Sequence, residues 1–351
     1  MQRPTRTQYV CPSTSLDDFA RMGIKPFEMA RAYHNKSQDF KMRIAVFGAG
    51  GIGGYFGARL AQAGNDVALI ARGSHLQAIQ ANGLFVKSAT GDFHITPFMA
   101  TNSPAEVGFV DLVILGVKAW DVREAAEQIR PMIGPDTGAL TLQNGVEAPT
   151  EVADVLGNDH VIVGVSPVRC FIETPGKLKH VGGIDPQLTL GEIDNRASTR
   201  VDSIHAAFAS NQVSVQIPDD IQSWLWLKFA GAVTLGGIGT LTRVSTGVWR
   251  EIPEVRKLVQ DSIQEVVAVA AANGVTLPPE GVDVIHSGID MMPTGHMTSM
   301  QEEIMACKPS ELEYWNGAIV RLGKAAGVAT PLNDLIYYSL LPQEKQARRQ
   351  V

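Results

Sequence analysis

Arg43-Ile44-Ala45-Val46-Phe47 runs straight into Gly48-Ala49-Gly50-Gly51-Ile52-Gly53, and the reading of this stretch decides the fold. Four apolar residues in a short run bounded by glycine have the pattern of a buried strand. The glycines are spaced GxGxxG, and beyond them Ile52, Phe56, Leu60 and Ala63 recur at helical intervals until Gly64 stops the helix. The first glycine of such a turn permits a tight bend. The second lets the backbone approach a pyrophosphate, and the third lets helix and strand pack closely. Unpaired N–H groups at the helix start, and the positive end of its dipole, then face the phosphates. In a chain with 34 Gly such a spacing means little alone; the strand before it and the helix after it supply the context. The segment Gly48, Ala49, Gly50, Gly51, Ile52, Gly53 is therefore read as a dinucleotide cradle.

The next strand, Val67–Ile70, indicates which dinucleotide. An NAD site would place Asp or Glu at its end for the ribose 2′-OH, whereas this chain reads Ile70-Ala71-Arg72-Gly73-Ser74-His75. A guanidinium is a permanent cation with a planar donor fork and suits a 2′-phosphate, so the expected cofactor is NADP(H), with Arg72 as its ligand and Ser74 as a cap of the following helix.

Working outward, strands are expected at Asp111–Val117, Ala139–Leu142 and Val161–Val165, alternating with amphipathic helices, which calls for a parallel doubly wound sheet. Arg169–Glu173 and Lys177–Val181 flank Thr174-Pro175-Gly176 as a hairpin. After Ile217-Pro218-Asp219-Asp220 the strand signal stops, and helices are expected over Ile221–Ala232, Val255–Asn273, Ser299–Met305, Glu311–Ala326 and Leu332–Leu341, the last with Thr330 as cap and Pro331 at its first position. The fold expected is an α/β Rossmann-type N-terminal domain plus an all-α C-terminal domain. Its divisions are an extension over residues 1–41, an NADP-binding domain over 42–217 and a helical substrate and catalytic domain over 218–345. The extension is read as lying ahead of a natural start at Met42.

Composition narrows the function. Hydrophobic residues at 45% and charged residues at 19% describe a globular chain with a sizeable core. Thirty basic against 36 acidic side chains leave a net charge of −6, which argues against a nucleic-acid partner. The longest uncharged apolar stretch, Phe229–Thr242, is Gly-rich and falls short of the ~18–20 residues that cross a bilayer. Cys11, Cys170 and Cys307 form no CxxC pair and read as reduced thiols, with no metal site expected. A cytoplasmic protein without a membrane partner, monomeric or homodimeric, is the expectation. Met291-Met292 reads as packing, and His75, His286 and His296 as structural or exposed.

The ordered set GAGGIGG (Gly48–Gly54), ARGSHLQAIQANGL (Ala71–Leu84), VKAW (Val117–Trp120), Gln143-Asn144-Gly145, Trp226-Leu227-Lys228, Thr298-Ser299-Met300 and SELEYWNG (Ser310–Gly317) resembles the ketopantoate reductase (2-dehydropantoate 2-reductase) family from about Met42 to Leu341. The resemblance implies a helical C-terminal domain like that of 6-phosphogluconate dehydrogenase and NADPH-dependent reduction of 2-dehydropantoate to (R)-pantoate, a step towards pantothenate and coenzyme A. By position it makes Lys228 the catalytic lysine and Glu311 the carboxylate of the later motif. Asn144 would position cofactor and substrate, Lys118 would lie near the cofactor phosphates, and Ser299 would bind the substrate's carboxylate end. The chemistry is apt: a nearby ammonium stabilises an oxyanion and can deliver the proton that completes an alcohol. Without the resemblance, Lys228 reads as a snorkelling lysine, and Ser310 with Glu313 has capping-box spacing that would leave Glu311 at the first helical position.

The chain departs from the family where asparagines usually stand four and eight residues after the catalytic lysine: here are Ala232 and Gly236. Lost polar donors weaken recognition of a small polar acid and suggest room for a larger or less polar one. Two further readings follow: a reductase of another 2-oxo or 3-oxo acid, and an NADP(H)-binding sensor without turnover.

Overall fold

The computed structural model of the chain describes residues 41–182, 187–209 and 213–349. The expectations for residues 1–40 and for Cys11 lie outside the described residues. Strand β1 (Arg43–Phe47) leads into α1 (Gly51–Gln62), followed by β2 (Asp66–Ile70), α2 (Gly73–Asn82), β3 (Leu84–Ser88), β4 (Phe93–Ile95) and β5 (Met99–Thr101). Next come β6 (Val110–Leu115), α3 (Val122–Gln128), β7 (Ile133–Thr141), α4 (Ala148–Leu156) and β8 (Val161–Val165). The hairpin β9 (Arg169–Thr174) and β10 (Lys177–Gly182) precedes β11 (Leu188–Glu192), α5 (Thr199–Ala209) and β12 (Val215–Gln216). Only helices follow: α6 (Ile221–Thr242), α7 (Thr246–Trp249), α8 (Pro253–Ala272), α9 (Pro279–Met291), α10 (Ser299–Met305), α11 (Asn316–Ala326) and α12 (Pro331–Ala347).

Eight strands form one sheet in the order β12-β11-β8-β7-β6-β1-β2-β5, parallel except where β11 runs against β8. Alternation along each central strand feeds two cores. Ala45, Phe47, Ala139, Val161 and Val163 face one side, where α3, α4 and the helical half pack. Ile44, Val46, Leu140 and Ile162 face the other, with α1 and α5. Because Phe47 pairs with both Ile70 and Leu115, and Leu115 with Thr141, the chain leaves β1, β2, β6 and β7 at one edge. In open parallel sheets that carboxyl edge is where ligands bind.

The pattern also calls for one more helix and strand reaching Gln216, which are α5 and β12, but β3, β4, β5 and β11 were not legible in it. Strands β3 and β4 join the hairpin in a second sheet, β4-β3-β10-β9, laid over α1. The helix expected to end at Ala232 continues to Thr242, because the glycines that look like breakers are contact points. A Cβ on Gly237 would meet Ile336 at 2.9 Å, and one on Gly239 would meet Gln301 at 2.5 Å. This helix, α6, is long and apolar enough by composition to cross a membrane, yet two-thirds of its most apolar window is buried inside the protein as the central core helix.

Local details also differ. Arg72, not Ser74, occupies the N-cap position of α2. The capping box at Ser310 does not form: Leu312–Tyr314 is a single 3-10 turn, α11 starts only at Asn316, and the Ser310 hydroxyl donates to Glu344. Thr330 does precede Pro331 at the start of α12, but its hydroxyl donates to Asp334 instead of capping the backbone. Met291 is 85% exposed at the end of α9, while its neighbour Met292 packs on the core.

Candidate active site

The glycine loop leaves β1 with Gly48 at φ +90°, and the N–H groups of Gly48 and Ala49 both donate to Ile70 O, at 3.1 and 3.0 Å. Side chains are excluded where helix meets strand: a Cβ on Gly53 would lie 2.5 Å from Gly48 O and 3.0 Å from Gly116 Cα. At Gly50, the N-cap of α1, a Cβ would meet nothing within 4 Å. Open space therefore stands beside Gly50, whereas a Cβ on Gly51 would lie 2.1 Å from Cys170 O of β9, and no acidic residue occupies the first turn of the helix. That space belongs to a cleft lined by Gly48, Gly50, Ala71, Arg72, Asp121 and Glu124. The glycines could hold a pyrophosphate there, and Arg72 is a cation on the same lining. His75 braces the cradle: its Nδ1 accepts from Gly176 N at 3.1 Å, so the proton is on Nε2, which donates to Ala49 O at 2.9 Å. Asp121 and Glu124 went unnoticed in the sequence because their place in this cleft depends on the turn after β6.

Across the same edge, α6 brings in Lys228, whose ammonium donates to Asn144 Oδ1 at 2.7 Å. Asn144 Nδ2 donates in turn to Glu311 Oε2 at 3.4 Å. The Glu311 carboxylate is 3% exposed; its Oε1 accepts from Ala119 N at 3.3 Å, and its Oε2 is 3.7 Å from Lys118 Nζ. Asn144 and Lys228 stand 84 positions apart in sequence, and Asn144 and Glu311 stand 167 apart, so only the fold assembles the relay. Gln143 holds its frame, donating to Leu115 O and Val117 O at 2.7 and 3.1 Å and thereby joining the ends of β6 and β7.

Burial pulls the Lys228 pKa down to about 8, against the opposing pull of the Glu311 charge. Near neutral pH this lysine can therefore both hold a proton and release one. Lys118 behaves differently. Burial lowers its pKa, but the Glu311 and Glu303 carboxylates outweigh that and raise it. Its ammonium is 2.7 Å from Glu303 Oε1 on α10, a partner the sequence did not suggest. Ser299 lies exposed in the first turn of that helix, whose N-cap is the neighbouring Thr298, with Oγ1 accepting from Gln301 N at 3.2 Å.

The room expected beside Gly236 is filled. A Cβ there would lie 2.7 Å from the Trp315 ring and 3.0 Å from the Met300 methyl, and Trp315 is 2% exposed. A large residue on the facing segment has taken the volume given up on α6, and since Gly236, Trp315 and Met300 are all buried, the contact is core packing.

The family model described as "Ketopantoate reductase PanE/ApbA" matches residues 44–195, and "Ketopantoate reductase PanE/ApbA C terminal" matches residues 220–344. A 2-dehydropantoate 2-reductase of Mesorhizobium japonicum is 31% identical over 316 residues, covering 84% of this chain and 95% of that protein. Another, of Pyrococcus abyssi, is 28% identical, covering 84% and 96%. Among solved structures, a PanE/ApbA family ketopantoate reductase from Ralstonia eutropha superposes with a TM-score of 0.80 at 30% identity, covering 88% of this chain and all of that one. A D-mandelate dehydrogenase solved with NADH and anilino(oxo)acetate superposes with a TM-score of 0.78 at 27% identity, covering 88% and 100%.

Proposed function

This chain belongs to the ketopantoate reductase family of oxidoreductases, which act on CH–OH groups, and from that membership we propose that it reduces 2-dehydropantoate to (R)-pantoate with NADPH. Bound NADPH supplies the hydride to the 2-oxo carbon. As negative charge gathers on the carbonyl oxygen, Lys228 stabilises it and donates the proton from Nζ. Asn144 aims that ammonium, and Glu311 keeps it charged while bonding Asn144 from behind. Ser299, at the start of α10, is assigned the substrate's carboxylate end. Arg72 is assigned the 2′-phosphate, since it lines the same cleft as the glycine cradle. The observation that carries the reading is the Lys228–Asn144–Glu311 relay at the carboxyl edge of the sheet.

A second reading concerns the substrate. Ala232 and Gly236 offer no amide, and Trp315 with Met300 closes the space beside Gly236 with apolar atoms. The missing amides favour a 2-oxo acid with a less polar side chain, in keeping with the anilino(oxo)acetate in the structure of the D-mandelate dehydrogenase relative. NADPH oxidation measured across 2-dehydropantoate, branched 2-oxo acids and phenylglyoxylate decides. The highest kcat/KM on 2-dehydropantoate supports the first reading, and preference for the apolar acids supports the second. Tight NADPH binding with no turnover on any of them would overturn both in favour of a sensor.

A further inference from the structure

Glu344, near the end of α12, is 4% exposed although it carries a charge. Its carboxylate accepts from Ser310 N at 3.1 and 3.0 Å, from Ser310 Oγ at 2.6 Å and from Arg348 Nε at 2.5 Å. Arg348 Nη2 donates to Ser310 O at 2.7 Å, and its guanidinium lies 4.5 Å from the centroid of the Trp120 ring. Both backbone polar groups of the residue preceding Glu311 are thus held by one turn of the C-terminal helix. The same turn holds Trp120, whose neighbour Ala119 donates its N–H to Glu311. A buried ion pair is a poor route to stability, because desolvation offsets most of its attraction; what charge-assisted bonds supply well is fixed geometry.

We infer that Glu344 and Arg348 are positioning residues, a clamp that ties the Glu311 segment of the helical half to the Lys118–Trp120 turn of the α/β half and so fixes the Glu311 carboxylate against Lys118 and Asn144. The significance for catalysis rests on the proposed function, but the clamp itself can be tested without turnover. The ionisable neighbours concerned are few: Glu311 acts on Lys228, and Lys118 and Glu303 bear on Glu311 from its other side.

The test uses full-length Arg348→Ala, Arg348→Lys and Glu344→Gln, with Trp120→Leu approaching the clamp from its other end. Amine labelling of Lys228 as a function of pH, read by mass spectrometry on the cofactor-free protein, reports how firmly Glu311 supports the ammonium. A loosened Glu311 raises the Lys228 pKa less, so the labelling midpoint falls below that of the parent. The shift should have the direction produced by Glu311→Gln but be smaller, and Arg348→Lys should restore part of it. With the preferred 2-oxo acid, kcat should fall about tenfold or more with NADPH affinity retained, since small misplacements of reacting groups are costly. Lower thermal stability with the midpoint unmoved in Arg348→Ala and Trp120→Leu would overturn the clamp and leave a merely structural contact. If no oxo acid is turned over, the proposed function fails while the midpoint still decides the clamp.

Discussion

The glycine cradle and the relay are built by opposite means. The glycine cradle is made by neighbours in sequence: β1, the turn and α1 are contiguous, and even its brace, His75, lies in the next helix. The relay is made by strangers. Lys118, Asn144, Lys228 and Glu311 come from four separate elements, and the hydrogen bonds among them span up to 167 positions. A local motif fails locally, by losing affinity for its ligand. An assembled site fails in its chemistry, because what the fold contributes there is the mutual distance of groups.

The largest effect should therefore come from the assembled side. Lys228→Ala is expected to lower kcat by about three orders of magnitude, within the ~10²–10⁴-fold range of general acid catalysis, while NADPH affinity stays within about twofold. Stopped-flow turnover with a separate binding titration checks it, and a fully active variant would remove the lysine from the mechanism. The pH dependence follows from the same group. With a pKa near 8, Lys228 is charged below that value, so reduction is fastest at lower pH and declines as pH rises through about 8. Oxidation of the alcohol needs the neutral amine and rises over the same window. Matching slopes in both directions would refute the assignment.

The contiguous side should respond in the other manner. Gly53→Ala places a methyl group 2.5 Å from Gly48 O and 3.0 Å from Gly116 Cα, and the backbone must shift because neither neighbour is a flexible side chain. Overpacking of this kind costs about 1–3 kcal/mol. NADPH binding should weaken about tenfold, with kcat near normal at saturating cofactor. A loss confined to kcat would erase the contrast between the two sides.

That contrast also explains what the sequence revealed. The Rossmann half was legible because strand, glycine turn and helix each follow local periodicity and turn chemistry. Strands β3 and β4 were not, since pairing makes them strands: β3 with β10 of the hairpin, and β4 with β3. The run from Gly231 to Gly239 looked like a helix end, and nothing local signals that Trp315, Ile336 and Gln301 fill the grooves those glycines leave. Lys228, Glu311, Asn144 and Lys118 could be picked out by resemblance of motif, and the structure brings all four together. Glu303, Glu344 and Arg348 carried no motif, because their roles exist only through partners distant in the chain.

Arg72 tests a smaller matter, the choice between two dinucleotides. Arg72→Asp should move the ratio of kcat/KM for NADPH over NADH about tenfold or more toward NADH, as expected when one charge-assisted contact is replaced by repulsion. An unchanged ratio would place the 2′-phosphate elsewhere, and Asp121 and Glu124, which line the same cleft, make that comparison necessary.

The smallest effect lies where the two sides meet. Lys118 leaves the end of β6 as though to serve the cofactor, yet its ammonium is 2.7 Å from Glu303 of the helical half and 3.7 Å from Glu311. On the expectation that Lys118 lies near the cofactor phosphates, an anionic cofactor would share that cation with two carboxylates. Glu303→Gln removes one competitor and leaves Glu311, Lys228 and Asn144 in place. Because the Lys118–Glu303 pair is partly open to water, its worth is below ~1 kcal/mol, and NADPH affinity should rise only about two- to fivefold. The gain should shrink with added salt, as screening weakens the freed attraction. Weaker binding in Glu303→Gln would mean that the pair holds Lys118 in a useful position instead of withholding it, and the boundary between the contiguous and the assembled side would then run through Lys118 itself.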